Sequence, residues 1–216
     1  MKTAERAARR RMSPAERRQQ IITLAAGQFD QSGYTSTTMD DIAREVGVAK
    51  PTLYHYFPSK DDILHAIHEE FIDLLISRHE ARADTGLRPE QLLLEAMADI
   101  LELMETHRGH VRVFFEHHRE LPAEARGPIR VKRDRYEQIV EGLIAEGMER
   151  GVFRQTDPHL ATLATFGMCN WAYQWYRPGG SLRSREIAYQ FWNYLVYGLG
   201  TEQLGTVANG RATPGV

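Results

Sequence analysis

The chain has 216 residues, 42% hydrophobic and 26% charged, a composition that suits one or two soluble domains. Its single cysteine, Cys169, rules out an internal disulfide framework and fits a reducing cytoplasm; no apolar run reaches the roughly 20 residues needed to span a bilayer. The net charge of −2 hides an asymmetry: through Lys60, ten Lys and Arg face six Asp and Glu, a surplus of +4, whereas the remaining 17 and 23 leave −6. A basic front on an acidic body fits a polyanion-binding module joined to a part with another task.

Residues 1–12 are basic and lack an apolar core, so they read as a disordered arm rather than a secretory signal. Ser13-Pro14-Ala15-Glu16 is a capping-box pattern with proline at the first helical position. The helix it opens carries Ile21, Leu24, Ala25 and Phe29 on its inward face and stops near Gly33. Between Thr37 and Lys60 the chain reads TTMDDIAREVGVAKPTLYHYFPSK, two short helical patterns joined at Gly47. Ile42, Ala43 and Val46 face inward from the first, Val48 and Leu53 from the second. A small residue lets the helices approach, a glycine takes the left-handed turn, and an aliphatic residue locks the second helix at a steep angle. That is a helix-turn-helix, whose second helix can enter a major groove of DNA.

Pro58-Ser59-Lys60 starts a long helix to about residue 79, with Ser59 as N-cap and a stripe from Ile63 to Leu75. Pro89 opens a helix carrying Leu92, Met97, Leu101 and Met104. Further helical patterns cover about 109–119, 128–150, 157–176 and 183–199, the last ending at Leu199. No strand-like alternation exceeds a few residues, and the Gly-, Thr- and Pro-rich tail from 201 to 216 reads as disordered. The expected fold is therefore all-α. A helix-turn-helix domain occupies 13–59 and a larger helical domain for ligand binding and dimerisation occupies 60–200.

Position assigns roles within the front module. Lys50, Pro51 and Thr52 open the second helix; Lys50 can donate to guanine acceptors, and the Thr52 methyl can pack on a thymine methyl. Thr37 and Thr38 start the first helix, where hydroxyls and free N–H groups suit a phosphate. Tyr54, His55, Tyr56 and Lys60 can hold the flanking backbone, a positioning role without sequence readout. The alternative is that one of the two tyrosines, Tyr56 before Tyr54, is a core aromatic.

From about Gln19 to Leu64, including IITLAAGQFDQSGYTSTTMDDIA and LYHYFPSKDDIL, the chain closely resembles the DNA-binding domain of TetR-family transcriptional repressors. The resemblance implies a three-helix domain that binds double-stranded operator DNA as a homodimer, with release by a small effector. It also implies phosphate contacts from the Tyr-x-Tyr pair, Tyr54 and Tyr56, and from Lys60. Such release needs an effector that favours one arrangement of the regulatory domain, here through a small pendulum movement of the 60–79 helix.

The second informative stretch is FGMCNWAYQWYRPGG, residues 166–180. Trp171 and Trp175 are one helical turn apart, and aromatic density of this kind suits either a ligand pocket containing Phe166 or a dimer interface. WAYQWYRPGG is similar to the C-terminal domain of TetR-type repressors that respond to acyl-CoA thioesters in fatty-acid or steroid catabolism. In VRVFFEHHRELP, Phe114 and Phe115 stand beside Arg112, His118 and Arg119. With Met97, Leu101 and Arg177 they form an expected acyl-CoA site, apolar residues for the acyl group and arginines for the phosphates. A neutral hydrophobic effector, or a core filled by its own side chains with no ligand at all, are the alternatives. His65 and His68, and the adjacent His117 and His118, lack the cysteines or carboxylates that complete a metal site. No nucleophile elbow, P-loop or dinucleotide fingerprint is present, so neither enzyme chemistry nor a cofactor is expected.

Overall fold

A computed structural model describes residues 12–198. The basic arm, apart from Met12, the end of the last expected helix at Leu199 and the 201–216 tail lie outside the described residues. Nine α-helices and no strand occur among the described residues: α1 Pro14–Ser32, α2 Met39–Val46, α3 Lys50–Tyr56, α4 Lys60–Ala83, α5 Pro89–Thr106, α6 Arg108–Glu116, α7 Ala123–Glu149, α8 Pro158–Trp175 and α9 Ser184–Tyr197. The all-α expectation holds.

Local chemistry sets several boundaries. Ser13 accepts from the Glu16 N–H at 3.2 Å while Glu16 accepts from the Ser13 N–H at 2.7 Å, the reciprocal box read from the sequence. Thr38 and Asp41 repeat the arrangement at the start of α2. Asp157 caps α8 by accepting from the Leu160 N–H at 3.1 Å. One start differs from expectation: α7 begins at Ala123, not near 128. Ala125 and Arg126 already bond the Pro122 carbonyl, so the helix is nucleated before Pro128, which lies inside it and leaves the Glu124 carbonyl without its i+4 donor.

The chain divides into two compact units. One holds the chain through Ser77 with Thr106–Tyr136; the other holds Arg78–Glu105 with the chain from Glu137. This division departs from the expected boundary at 59/60. Ile63, Leu64, Ala66 and Ile67 of α4, Val113 of α6, and Leu121 and Ile129 are buried in one core with Ile21, Ile22, Phe29, Ile42 and Leu53. The helix-turn-helix thus shares its core with much of α4 and with α6.

Within this first unit α6 approaches α1 at Gly109. A Cβ there would lie 2.9 Å from the carbonyl carbon and oxygen of Ala26, both backbone atoms that cannot rotate away. Gly109→Ala is expected to force the two helices apart and cost about 1–3 kcal/mol. A lowered thermal midpoint checks this; an unchanged one would show that the contact is loose.

In the second unit α5 is apolar on most of its surface, with Leu93, Ala96, Met97, Ala98, Ile100, Leu101 and Leu103 buried. Asp99, buried among them, is held by the guanidinium groups of Arg82 and Arg78, the company a buried carboxylate requires. Arg185 of α9 pairs with Glu95 and Glu102 of α5, and the Trp192 indole N–H donates to the Glu90 carbonyl at 3.0 Å.

Candidate nucleic-acid interface and effector residues

Gly47 ends α2 with φ 72° and ψ 38°, and its N–H bonds the carbonyls of Ala43 and Arg44. This left-handed cap is the conformation glycine adopts without penalty. Leu53, fully buried, then fastens α3 to the core. The rest of α3 faces outward: Lys50, Pro51, Thr52, Tyr54 and His55 are exposed, and Tyr56 is half-buried with its ring edge-on to His55. The surface of a helix that a groove would meet is therefore open and carries the residues expected to read it.

The structure alters three roles. Thr37 is buried, and its hydroxyl donates to the Gly33 carbonyl at 2.9 Å. It shapes the turn before α2 and does not present a hydroxyl to a phosphate. Thr38 is exposed, but its hydroxyl serves the N-cap with Asp41. The Lys60 ammonium donates to the carbonyls of Tyr34 and Thr37 at 2.7 and 2.9 Å and lies 4.2 Å from the centre of the Tyr34 ring. Two of its three donors fasten the α1–α2 connection, which leaves one for a phosphate.

Asp40 meets an expected DNA-binding residue in a way the sequence did not reveal. Its carboxylate lies 2.7 Å from the Lys50 ammonium. That hydrogen bond, with the attraction of the charge, raises the Lys50 pKa. In sequence Asp40 reads only as an acidic residue in a first turn; its meeting with Lys50 exists only after the helix-turn-helix has folded. A carboxylate here would compete with DNA for the lysine. Asp40→Asn is expected to tighten operator binding about two- to fivefold, since exposed ion pairs are worth little each. Fluorescence anisotropy at fixed salt measures this, and weaker binding would contradict it.

The expected effector residues fall into both units. Arg112, Phe114, Phe115, His118 and Arg119 belong to the first; Met97, Leu101, Phe166, Trp171, Trp175 and Arg177 belong to the second. Met97 and Leu101 are fully buried, and Phe114 packs on Phe71 with ring centres 4.4 Å apart. Arg112 is engaged by Asp30 at 2.9 Å and by Glu116 at 3.1 Å, so it braces α6 against α1. His118, Arg119 and Arg177 are exposed. Trp171 and Trp175 are 64% and 46% exposed, which removes them from any enclosed wall of this chain. Instead they continue an outward stripe on α8 with Leu160, Leu163 and Gly167. Cys169 points the other way, fully buried, and burial pushes its thiol pKa up to about 12. It is a small core hydrophobe.

A cavity of about 280 Å³ in the second unit is lined by Leu93, Ile144, Met148, Phe153, Leu160 and Leu195, with Arg154 and Thr156 also on its wall. None of the expected effector residues lines it. Its position on the α7–α8 connection has no motif to announce it.

An all-helical chain that presents the second helix of a helix-turn-helix on an anchored front unit is a DNA-binding transcriptional regulator. The family profile described as "Bacterial regulatory proteins, tetR family" matches residues 21–67, and "Tetracyclin repressor-like, C-terminal domain" matches residues 86–199. The chain belongs to the TetR family, whose members are regulators and not enzymes. It is 27% identical over 191 residues to the HTH-type transcriptional repressor KstR2 of Mycobacterium tuberculosis, covering 86% of this chain and 94% of that one. Among solved structures, PfmR from Thermus thermophilus superposes with a TM-score of 0.78 at 30% identity, covering 84% of this chain and 99% of that chain. AibR in complex with isovaleryl coenzyme A and operator DNA gives 0.75 at 26% identity, covering 83% and 98%. No helix among the described residues is long and apolar enough to cross a membrane.

Proposed function

We propose that this TetR-family regulator is a cytoplasmic repressor that binds an inverted-repeat operator as a homodimer and is released by an acyl-CoA thioester of lipid or steroid catabolism. The observation that carries the DNA reading is the open face of α3, with Lys50, Thr52 and Tyr54 exposed around a buried Leu53. The outward apolar stripe of α8, together with exposed Tyr189, Tyr194 and Tyr197 on α9, supports a dimer built on these two helices. The complex of AibR with isovaleryl coenzyme A and operator DNA, and the description of KstR2 as a ketosteroid regulator, support the effector class. Exposed Arg119 and Arg177 remain candidates for its phosphates. The effector must bind one conformation better than the other, since equal affinity for both shifts nothing.

Anisotropy of labelled operator DNA, titrated with CoA thioesters, the matching free acids and free coenzyme A, tests the reading. Thioesters are expected to release the DNA and free acids to act weakly. If no thioester releases it and uncharged hydrophobic compounds do, the effector assignment falls and the repressor reading stands.

A further inference from the structure

His68 lies on α4 in the first unit and is fully buried. Neither ring nitrogen has a hydrogen-bond partner among the described residues. A neutral imidazole offers one donor and one acceptor, and leaving both unmet inside a protein is a standing cost. The ring packs at 42° on Phe114, with centres 5.2 Å apart, and Phe114 packs in turn, tilted by 38°, on Phe71. The Phe114 ring offers the imidazole neither a donor nor an acceptor. The charged and titratable groups acting on the ring are His118, Arg133, His117 and His65, and all of them oppose its protonation. Burial is the larger cause, and together they bring its pKa down to about 3, so the ring is neutral at physiological pH. The guanidinium of Arg133 sits 5.6 Å from the centre of the Phe114 ring.

We propose that His68 is the effector's hydrogen-bonding contact, donating from its neutral ring to an uncharged carbonyl oxygen such as that of a thioester. The apolar body of the ligand lies against Phe71 and Phe114, and its anionic end lies toward Arg133 and His118. This inference rests on the acyl-CoA reading for the ligand class. The residue itself is singled out by its unmet donor and acceptor. A leucine would fill the same space without the cost, so the imidazole is explained by what it meets when a ligand enters. A carbonyl suits a neutral donor among aromatic rings; a carboxylate would have to be desolvated there.

The test compares wild type with His68→Leu and His68→Gln in the full chain. The probes are isovaleryl-, octanoyl- and palmitoyl-coenzyme A and an uncharged ketosteroid. Without ligand, His68→Leu is expected to melt at the same or a higher temperature and to bind operator as wild type does. It should nevertheless need at least tenfold more thioester for release. His68→Gln, which keeps a donor, should recover part of the response. Thioester release at wild-type concentrations in His68→Leu overturns the His68 contact and leaves the acyl-CoA reading intact. Release of wild type by the ketosteroid alone sinks the acyl-CoA reading; loss of that response in His68→Leu would still support the carbonyl contact. A midpoint lowered by several degrees in both variants shows a ring held by partners within the fold and overturns the proposal. Wild type untouched by all four probes overturns both.

Discussion

Glutamate at Leu163 and Trp171 together is expected to give a folded monomer whose affinity for a full operator falls by about 10²–10⁴-fold, the gain that linking two binding modules normally provides. Both side chains already stand in solvent in the single chain, 45% and 64% exposed, so the change removes little packing within the subunit. They lie on one α8 stripe with Leu160 and Trp175. Gly167 sits in the middle of this stripe and carries no side chain that would hold a second helix away. Two charges on such a face, brought against their own copies, cannot be desolvated cheaply. Sedimentation gives the oligomeric state and circular dichroism the fold. A double variant that remains dimeric would exclude α8 from the interface.

Leu53→Ala should have the opposite signature: an intact dimer with an unfastened α3. Leu53 is fully buried at the junction of α2 and α3, and truncating such a leucine costs about 2–5 kcal/mol. Small modules have about 5–15 kcal/mol in all, so the front unit would lose much of its margin. The expected result is an earlier melting transition and operator binding lost for every sequence. Thr52→Ala, by contrast, removes an exposed methyl and should alter preference between sequences while leaving stability unchanged. An unshifted melting curve for Leu53→Ala would show that the turn is held by something else.

The front module was legible because its determinants are local. The Ser13 capping box and the left-handed Gly47 act within a few residues of their partners in sequence, and Leu53 follows Gly47 at the spacing a helix-turn-helix requires. Interactions that bring distant positions together were not legible. The ammonium of Lys60 reads as a phosphate ligand until the chain folds the Tyr34 and Thr37 carbonyls around it. Arg112 reads as an effector arginine until α6 packs on α1 and delivers Asp30. The aromatic run at 166–176 gave no means of choosing between pocket and interface, because helical spacing shows which residues share a face and not what that face meets. His65 and His68 read as a pair one turn apart; only the fold separates a half-buried ring from one that is fully enclosed. The division into units eluded the sequence for the same reason. Hydrophobic period marks α4 as one long helix but not the core that Ile63, Leu64, Ala66 and Ile67 share with the helix-turn-helix.

Selection of binding sequences from a randomised duplex pool, followed by hydroxyl-radical footprinting of the winners, tests the central claim most directly. The expected outcome is an inverted repeat protected on one face of the DNA. The two half-sites should be centred about 34–36 Å apart or at a multiple of that spacing, each recognition helix occupying one major groove. Lys50→Ala should lose protection at both half-sites together. A pool with no enriched sequence, or a single unrepeated site protected by one subunit, would contradict a dimeric operator-binding regulator.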